Sequence, residues 1–198
     1  MICEKDLGRH RAILVAGMPG SGKGLFTEVA ESCGLSVFIM GDVVREEVIR
    51  RGLEINYETS GLISAKLREE LGSEAIAVLT HKKICLSKDL SNYIVIEGVR
   101  SIEEVNYFKR IFEKIYLVAI HSSPNTRFRR IRLRGREDDP KAWEDFVARD
   151  LRELSFGLGS VIALADYILI NEEIDAETFK RSVISLLEKI LGYPCKNS

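Results

Sequence analysis

Five short runs of almost unbroken apolar residues punctuate the chain, at 11–16, 36–40, 92–97, 115–120 and 166–170. Runs that are apolar at nearly every position, rather than at alternate ones, suit strands covered on both faces, as in a parallel sheet. The segments between them carry helical spacing instead. Leu25, Phe26, Val29, Ala30 and Cys33 form one stripe, and Trp143, Phe146, Val147, Leu151 and Leu154 a second. Phe179, Val183, Leu186, Leu187 and Ile190 form a third. Strand and helix in alternation predict a three-layer α/β fold with right-handed crossovers. Pro19, Pro124, Pro140 and Pro194 fall in loops or at helix starts, and no linker divides the chain, so 1–198 reads as one domain. Two stretches are longer than a crossover needs: a helical insert at 42–88 and a short charged one at 132–141.

Ligands of such sheets gather at the carboxyl ends of the strands. The first strand runs into Gly17-Met18-Pro19-Gly20-Ser21-Gly22-Lys23-Gly24-Leu25 and then into a helical stripe. Strand, glycine loop and helix in this order predict a phosphate cradle. Glycines let successive N–H groups turn inward, the helix adds the positive end of its dipole, and Lys23 adds a cation. The position after such a lysine commonly carries a Ser or Thr hydroxyl for Mg²⁺, but here it is Gly24. Thr27 and Ser21 are the nearest hydroxyls, so a metal would lean on carboxylates and water.

The later strand ends supply those carboxylates and several cations. Asp42 and Arg45 follow the second strand, one helical turn apart. Asp42 reads either as an N-cap or as a cleft residue that meets substrate and hydrated metal. Glu97 closes the third strand beside the phosphate loop, where an acid organises Mg²⁺ through water, and Arg100 follows it. Six arginines lie between 127 and 136, ahead of Glu137-Asp138-Asp139. A passive solvated face is one reading of that run and a nucleic-acid stripe another. The adjacent acids favour a third, a lid whose arginines neutralise a transferring phosphoryl group. Spacing singles out Arg130, Arg134 and Arg136, with Arg149 on the next helix. His121 reads as a packed or solvent-facing side chain, Asn171 as a strand end or an adenine contact, and His10 and His81 as residues without visible partners.

These motifs resemble nucleoside monophosphate kinases. Pro19 and Gly24 stand where adenylate kinases have them, although Leu25 replaces their usual Thr. Gly41-Asp42-Val43-Val44-Arg45 is similar to the start of the acceptor-binding helix of adenylate kinases, and Glu97-Gly98-Val99-Arg100 to a longer run that begins with Asp. The resemblance implies that Arg45 and Arg100 hold an acceptor phosphate. The strand 166–170 ending at Asn171 resembles one in dephospho-coenzyme A kinases. Taken over nearly the whole chain, and most closely at 149–159, the sequence is similar to a mainly archaeal family of adenylate-kinase-related P-loop proteins. That likeness implies a nucleoside-kinase-like fold with a five-stranded parallel sheet in the order 2-3-1-4-5. It implies ATP as cofactor with Mg²⁺, and it leaves the reaction open.

Composition narrows the surroundings. Apolar residues make up 45% of the 198, enough for a sizeable core, and 30% are charged with a net charge of −1. Such balance argues against a dedicated nucleic-acid or membrane partner. No apolar run approaches the roughly 18 residues of a spanning helix, and the polar start argues against a signal peptide, so a cytoplasmic location is expected. The four cysteines, Cys3, Cys33, Cys85 and Cys195, show no paired spacing. Cys33 reads as a buried thiol, and a hyperthermophilic source would leave room for a disulfide. The function expected is transfer of the terminal phosphoryl group of ATP to a nucleoside monophosphate or similar small molecule. An ATP-binding switch or slow ATPase, and a dephospho-coenzyme A kinase-like activity, are the alternatives. Oligomeric state is not legible.

Overall fold

The computed structural model describes residues 6–136 and 139–195. Glu137, Asp138 and Cys3, which the sequence reading touched, lie outside that set. The apolar runs become β1 (Arg11–Ala16), β2 (Ser36–Ile39), β3 (Tyr93–Glu97), β4 (Lys114–His121) and β5 (Tyr167–Ile170). They pair in parallel in the order β2-β3-β1-β4-β5, with β1 at the centre. Register places Val15 opposite Glu97 and Ala16 opposite Ala119, so the first, third and fourth strands end together beside the glycine loop.

Alternation along β1 divides the core. Ala12, Leu14 and Ala16 face one side, Ile13 and Val15 the other, and all five are fully buried. Over the first face lie α2 (Met40–Arg50), α3 (Tyr57–Leu71), α4 (Ala75–Leu86), α5 (Ile102–Ile111) and α8 (Leu158–Ala163). Over the second lie α1 (Lys23–Ser32) and α9 (Ala176–Leu191). Phe26 and Phe179, both fully buried there, each contribute about 1.5–3 kcal/mol by leaving water. The stripe expected on α9 packs as read: Phe179, Val183, Leu186, Leu187 and Ile190 are all buried.

Three expectations are corrected. The helical insert begins earlier, at Met40, and its N-cap is Ile39, so Asp42 is no cap but lies in the first turn of α2. There its charge favours the helix dipole. The stripe read on α7 (Trp143–Ser155) is not its inward face, because Leu151 is 62% exposed and Leu154 46%. Phe146, Asp150 and Glu153 point inward instead, at i, i+4 and i+7, because the two acids meet arginines from α6 (Pro124–Arg134) and from the loop after β3. Finally, Cys33 is not a thiol. It forms a disulfide with Cys195, 162 residues away in sequence, that ties the end of α1 to the segment after α9.

Candidate functional site

The glycine loop is braced from beneath by side chains. Gly22, the N-cap of α1, has φ 110°, and a Cβ there would lie 2.2 Å from Asn171 Nδ2. Only glycine fits that combination. Asn171 Nδ2 donates to Ser21 O at 2.9 Å, while its Oδ1 accepts from Arg130 Nη2 at 3.1 Å. Arg130 Nη1 also donates to Asn171 O and to Ser122 Oγ. Arg127, 3% exposed, donates through Nη1 to Pro19 O at 3.2 Å and through both terminal nitrogens to Asp150, at 2.8 and 2.5 Å. Asn171 therefore neither merely ends its strand nor lines the cleft. It is 2% exposed and spends its amide on the loop.

Above the loop opens a cavity of about 410 Å³. Gly17, Pro19, Gly20, Gly22, Lys23, Gly24 and Leu25 line it, and so do Glu97 at the end of β3 and Arg45, Arg100, Arg130, Arg134, Arg136 and Arg149. Residues from five separate stretches of sequence are thus brought to one cleft. Three predicted residues are not. Met18 turns into the core, and Ser21 is fully buried, so of the two nearest hydroxyls only that of Thr27 belongs to a lining residue. Asp42 stands outside the lining, its carboxylate engaged by Arg45.

Charge inside the cleft is arranged in pairs. Lys23 Nζ donates to Gly17 O at 2.8 Å and faces Glu97 Oε1 at 3.6 Å, an ion-pair rather than a hydrogen-bond distance. Burial lowers the Lys23 ammonium pKa, and Glu97 only partly offsets it. Arg100 Nε meets Glu153 Oε2 at 2.6 Å, and that carboxylate holds the guanidinium pKa up against burial. Asp139 accepts from Arg134 at 2.6 and 2.8 Å and faces Arg149 at 3.3 Å. Burial alone would push the Asp139 carboxyl up, yet the Arg134 hydrogen bonds hold it below its ordinary range. Among the described residues no group of three His, Cys, Asp or Glu side chains is placed to hold a metal. Glu97 fits Mg²⁺ in the other way, as the single carboxylate beside a polyphosphate and water.

A second, smaller cavity of about 70 Å³ adjoins the first, between α2, α3 and the end of α7. Gly41, Arg45, Arg100, Arg149 and Glu153 line both, so the two share a wall. Glu153, 5% exposed, was not anticipated. An acid on a helix reads as solvated, and the only hint was its place among the arginines of 149–152. Two histidines differ from expectation, and a third, His121, does not. His10 Nδ1 lies 2.9 Å from Ser91 O and His81 Nδ1 2.8 Å from Tyr107 Oη, whereas His121 is exposed at the end of β4.

A parallel sheet of this order, a glycine loop opening onto α1 and a cleft rich in arginine define a P-loop, kinase-like domain. Residues 16–147 match the model of an AAA domain. The chain belongs to the UPF0200 family: it is 50% identical over 186 residues to a UPF0200 protein of Hyperthermus butylicus, covering 93% of this chain and 98% of that one. A relative from Methanocaldococcus jannaschii is 48% identical over 178 residues, covering 90% and 89%. Among solved structures, TT1252 from Thermus thermophilus aligns with TM-score 0.63 at 16% identity, over 92% of this chain and 98% of that one. Shikimate kinase from Bacteroides thetaiotaomicron aligns with TM-score 0.58 at 17% identity, over 91% and 98%. At such identities the likeness is one of fold. Among the described residues no helix is long and apolar enough to cross a membrane.

Proposed function

We propose that the protein is a phosphotransferase that moves the γ-phosphoryl group of ATP to an anionic small molecule, the class to which nucleoside monophosphates belong. One observation carries this reading: the cavity over the phosphate loop adjoins a second cavity walled by guanidinium groups. A protein that only binds or hydrolyses ATP has no use for a second anion pocket. The motif likeness of Asp42–Arg45 and Glu97–Arg100 to adenylate kinases, and the kinase neighbours in fold, support the same class.

Positioning and charge neutralisation do the chemistry in such transfers. The loop amides and Lys23 hold the donor phosphates. Glu97 would hold Mg²⁺ through water, and the metal when bound supplies positive charge to the polyphosphate. Arg134, Arg136 and Arg149 reach the cavity from the lid side and stabilise charge on the transferring oxygens. Arg45 and Arg100 receive the acceptor, since a planar guanidinium grips two oxygens at once. Arg130 lines the same cavity but is held to Asn171, so it shapes the loop.

A second reading, an ATP-dependent switch, is favoured by the missing hydroxyls at Gly24 and Leu25 and opposed by the guanidinium pocket. Kinetics separate the two. Lys23→Met should lower kcat at least about 10²-fold, whereas Arg45→Ala should mainly raise the acceptor KM. ADP release that never depends on any added acceptor would decide for the switch.

A further inference from the structure

Resting on the phosphotransferase reading above, we infer that Glu104 is a positioning residue for the acceptor: it fixes Arg100 relative to Glu97 and ties it to the α3 wall of the second cavity. Glu104 lies in the first turn of α5, and its side chain is 0% exposed. A carboxylate wholly out of water is costly unless charged and polar partners meet it. Both of its oxygens are met. Oε1 accepts from Arg68 Nη2 of α3 at 2.8 Å, and Oε2 accepts from the Arg100 backbone N–H at 2.7 Å. Part of this arrangement is helix capping. Ser101 is the N-cap of α5 and accepts from Glu104 N, as in a capping box. In that motif the glutamate returns to the N–H of the N-cap residue itself, and it needs no burial. Here it reaches one residue further back, to Arg100, and spends its other oxygen on a different helix.

Both bonds bear on the cleft. Gly98 N donates to Val15 O at 2.9 Å, at the end of the register that sets Glu97 opposite Val15. Two residues on, Arg100 N donates to Glu104, and the Val99 between them is fully buried. The loop that carries the donor-side acid Glu97 and the acceptor-side Arg100 is therefore pinned at both ends. Arg100 is pinned along its side chain too, where the Glu153 carboxylate meets Nε at 2.6 Å. Arg68 extends the tie. Its Nη1 donates to Ser64 O at 3.1 Å and to Ser64 Oγ, and its Cζ lies 4.5 Å from the centroid of the Phe156 ring. Ser64, Phe156 and Arg100 all line the second cavity. Glu104 stands buried behind them and acts through Arg100 and Arg68. A guanidinium that seats an acceptor in line with a donor phosphate gains from such fixing, because misplacement by about 1 Å can cost about 10²-fold in rate.

Heteronuclear NMR of the full chain, saturated with Mg²⁺ and the β,γ-imido analogue of ATP, tests this with inorganic phosphate as the probe. The Arg100 Nε–H signal, assigned by its loss in Arg100→Lys, reports on the side chain, and phosphate should shift it in the wild type. Glu104→Gln has one acceptor oxygen for two donors and turns its NH₂ against the second. In that variant the Arg100 signal should move before any phosphate is added. The phosphate Kd read from it should rise about tenfold, while the Kd of the analogue stays within about twofold. A helix cap alone would lower the melting temperature and leave the signal and the phosphate Kd in place. That outcome overturns the inference and leaves the phosphotransferase reading standing. So does an equal rise in both Kd values, the mark of a fold loosened everywhere. Should the glutamine variant fail to fold, Glu104→Asp, which keeps the charge and gives up one methylene of reach, answers the same question. A wild-type Arg100 signal that phosphate never moves, with the analogue bound, removes the acceptor seat and overturns both.

Discussion

The two ends of the cleft are built by different means. At the donor end a backbone loop is fixed by buried side chains that bond to its carbonyls: Arg127 to Pro19 and Asn171 to Ser21. At the acceptor end α2 carries a partly exposed ion pair along its own surface, Arg45–Asp42, where the side chains are 36% and 38% exposed, whereas Arg100–Glu153 nearby is largely buried. Buried partners of backbone groups cannot be released without leaving polar atoms unsatisfied, so the donor end is rigid. A half-solvated ion pair exchanges with water at little cost, so Arg45 can be drawn from Asp42 to a ligand. Under the proposed function, the first design suits a cradle for a triphosphate and the second an adaptable seat for an acceptor.

Breaking the donor brace should cost most. Arg127→Met leaves Asp150, whose side chain is 14% exposed, without its partner, and about 3 kcal/mol of folding stability should go with it. Chemical denaturation measures this, and Arg127→Met with Asp150→Leu should recover much of the loss. Next comes the disulfide, which closes 162 residues on the donor face of the sheet. Cys195→Ser should cost about 2–4 kcal/mol, with wild type and variant converging in excess reductant. Third is the acid that anchors the brace. Glu172 accepts from Ser123 N, Ser123 Oγ and Thr126 Oγ1 at the start of α6, and these bonds pull its pKa down to about 2. A depressed carboxyl stabilises the fold fully above its ordinary value and loses that contribution as pH falls toward 2. Thermal melts of Glu172→Gln should therefore fall below wild type at neutral pH and converge with it in acid.

On the acceptor side, Arg45→Ala should change stability by no more than about 1 kcal/mol, although its acceptor KM rises. A loss as large as that of Arg127→Met would erase the contrast between the ends. The smallest effect belongs to Gly24, where an added Cβ meets nothing within 4 Å. Gly24→Ser should fold and gain about 0.5 kcal/mol from helix propensity, with ATP affinity in Mg²⁺ unchanged or tighter. Weaker affinity would mean that the open space over Gly24 is needed by the donor itself.

The strands were legible because strands covered on both faces must be apolar throughout, and 11–16 and 92–97 cannot hide that, whereas their order in the sheet was implied by the resemblance alone. The phosphate loop was legible because its function needs glycine at fixed places. Glu153 and Asn171 were not, since each owes its role to a partner far along the chain, Arg100 and Ser21. The α7 stripe misled for a related reason. Its inward face is held by Asp150 and Glu153 meeting arginines, so the apolar side chains Leu151 and Leu154 were left to solvent. Cys33 and Cys195 carried no spacing signal across 162 residues.

That last bond closes the stretch from Cys33 to Cys195 into a covalent ring. A protease that cuts once anywhere between residues 33 and 195, for instance in the loops joining α2, α3 and α4, would release no fragment from inside it. The nicked molecule would run as one species on a denaturing gel, and its two pieces would part only when the gel is loaded with thiol.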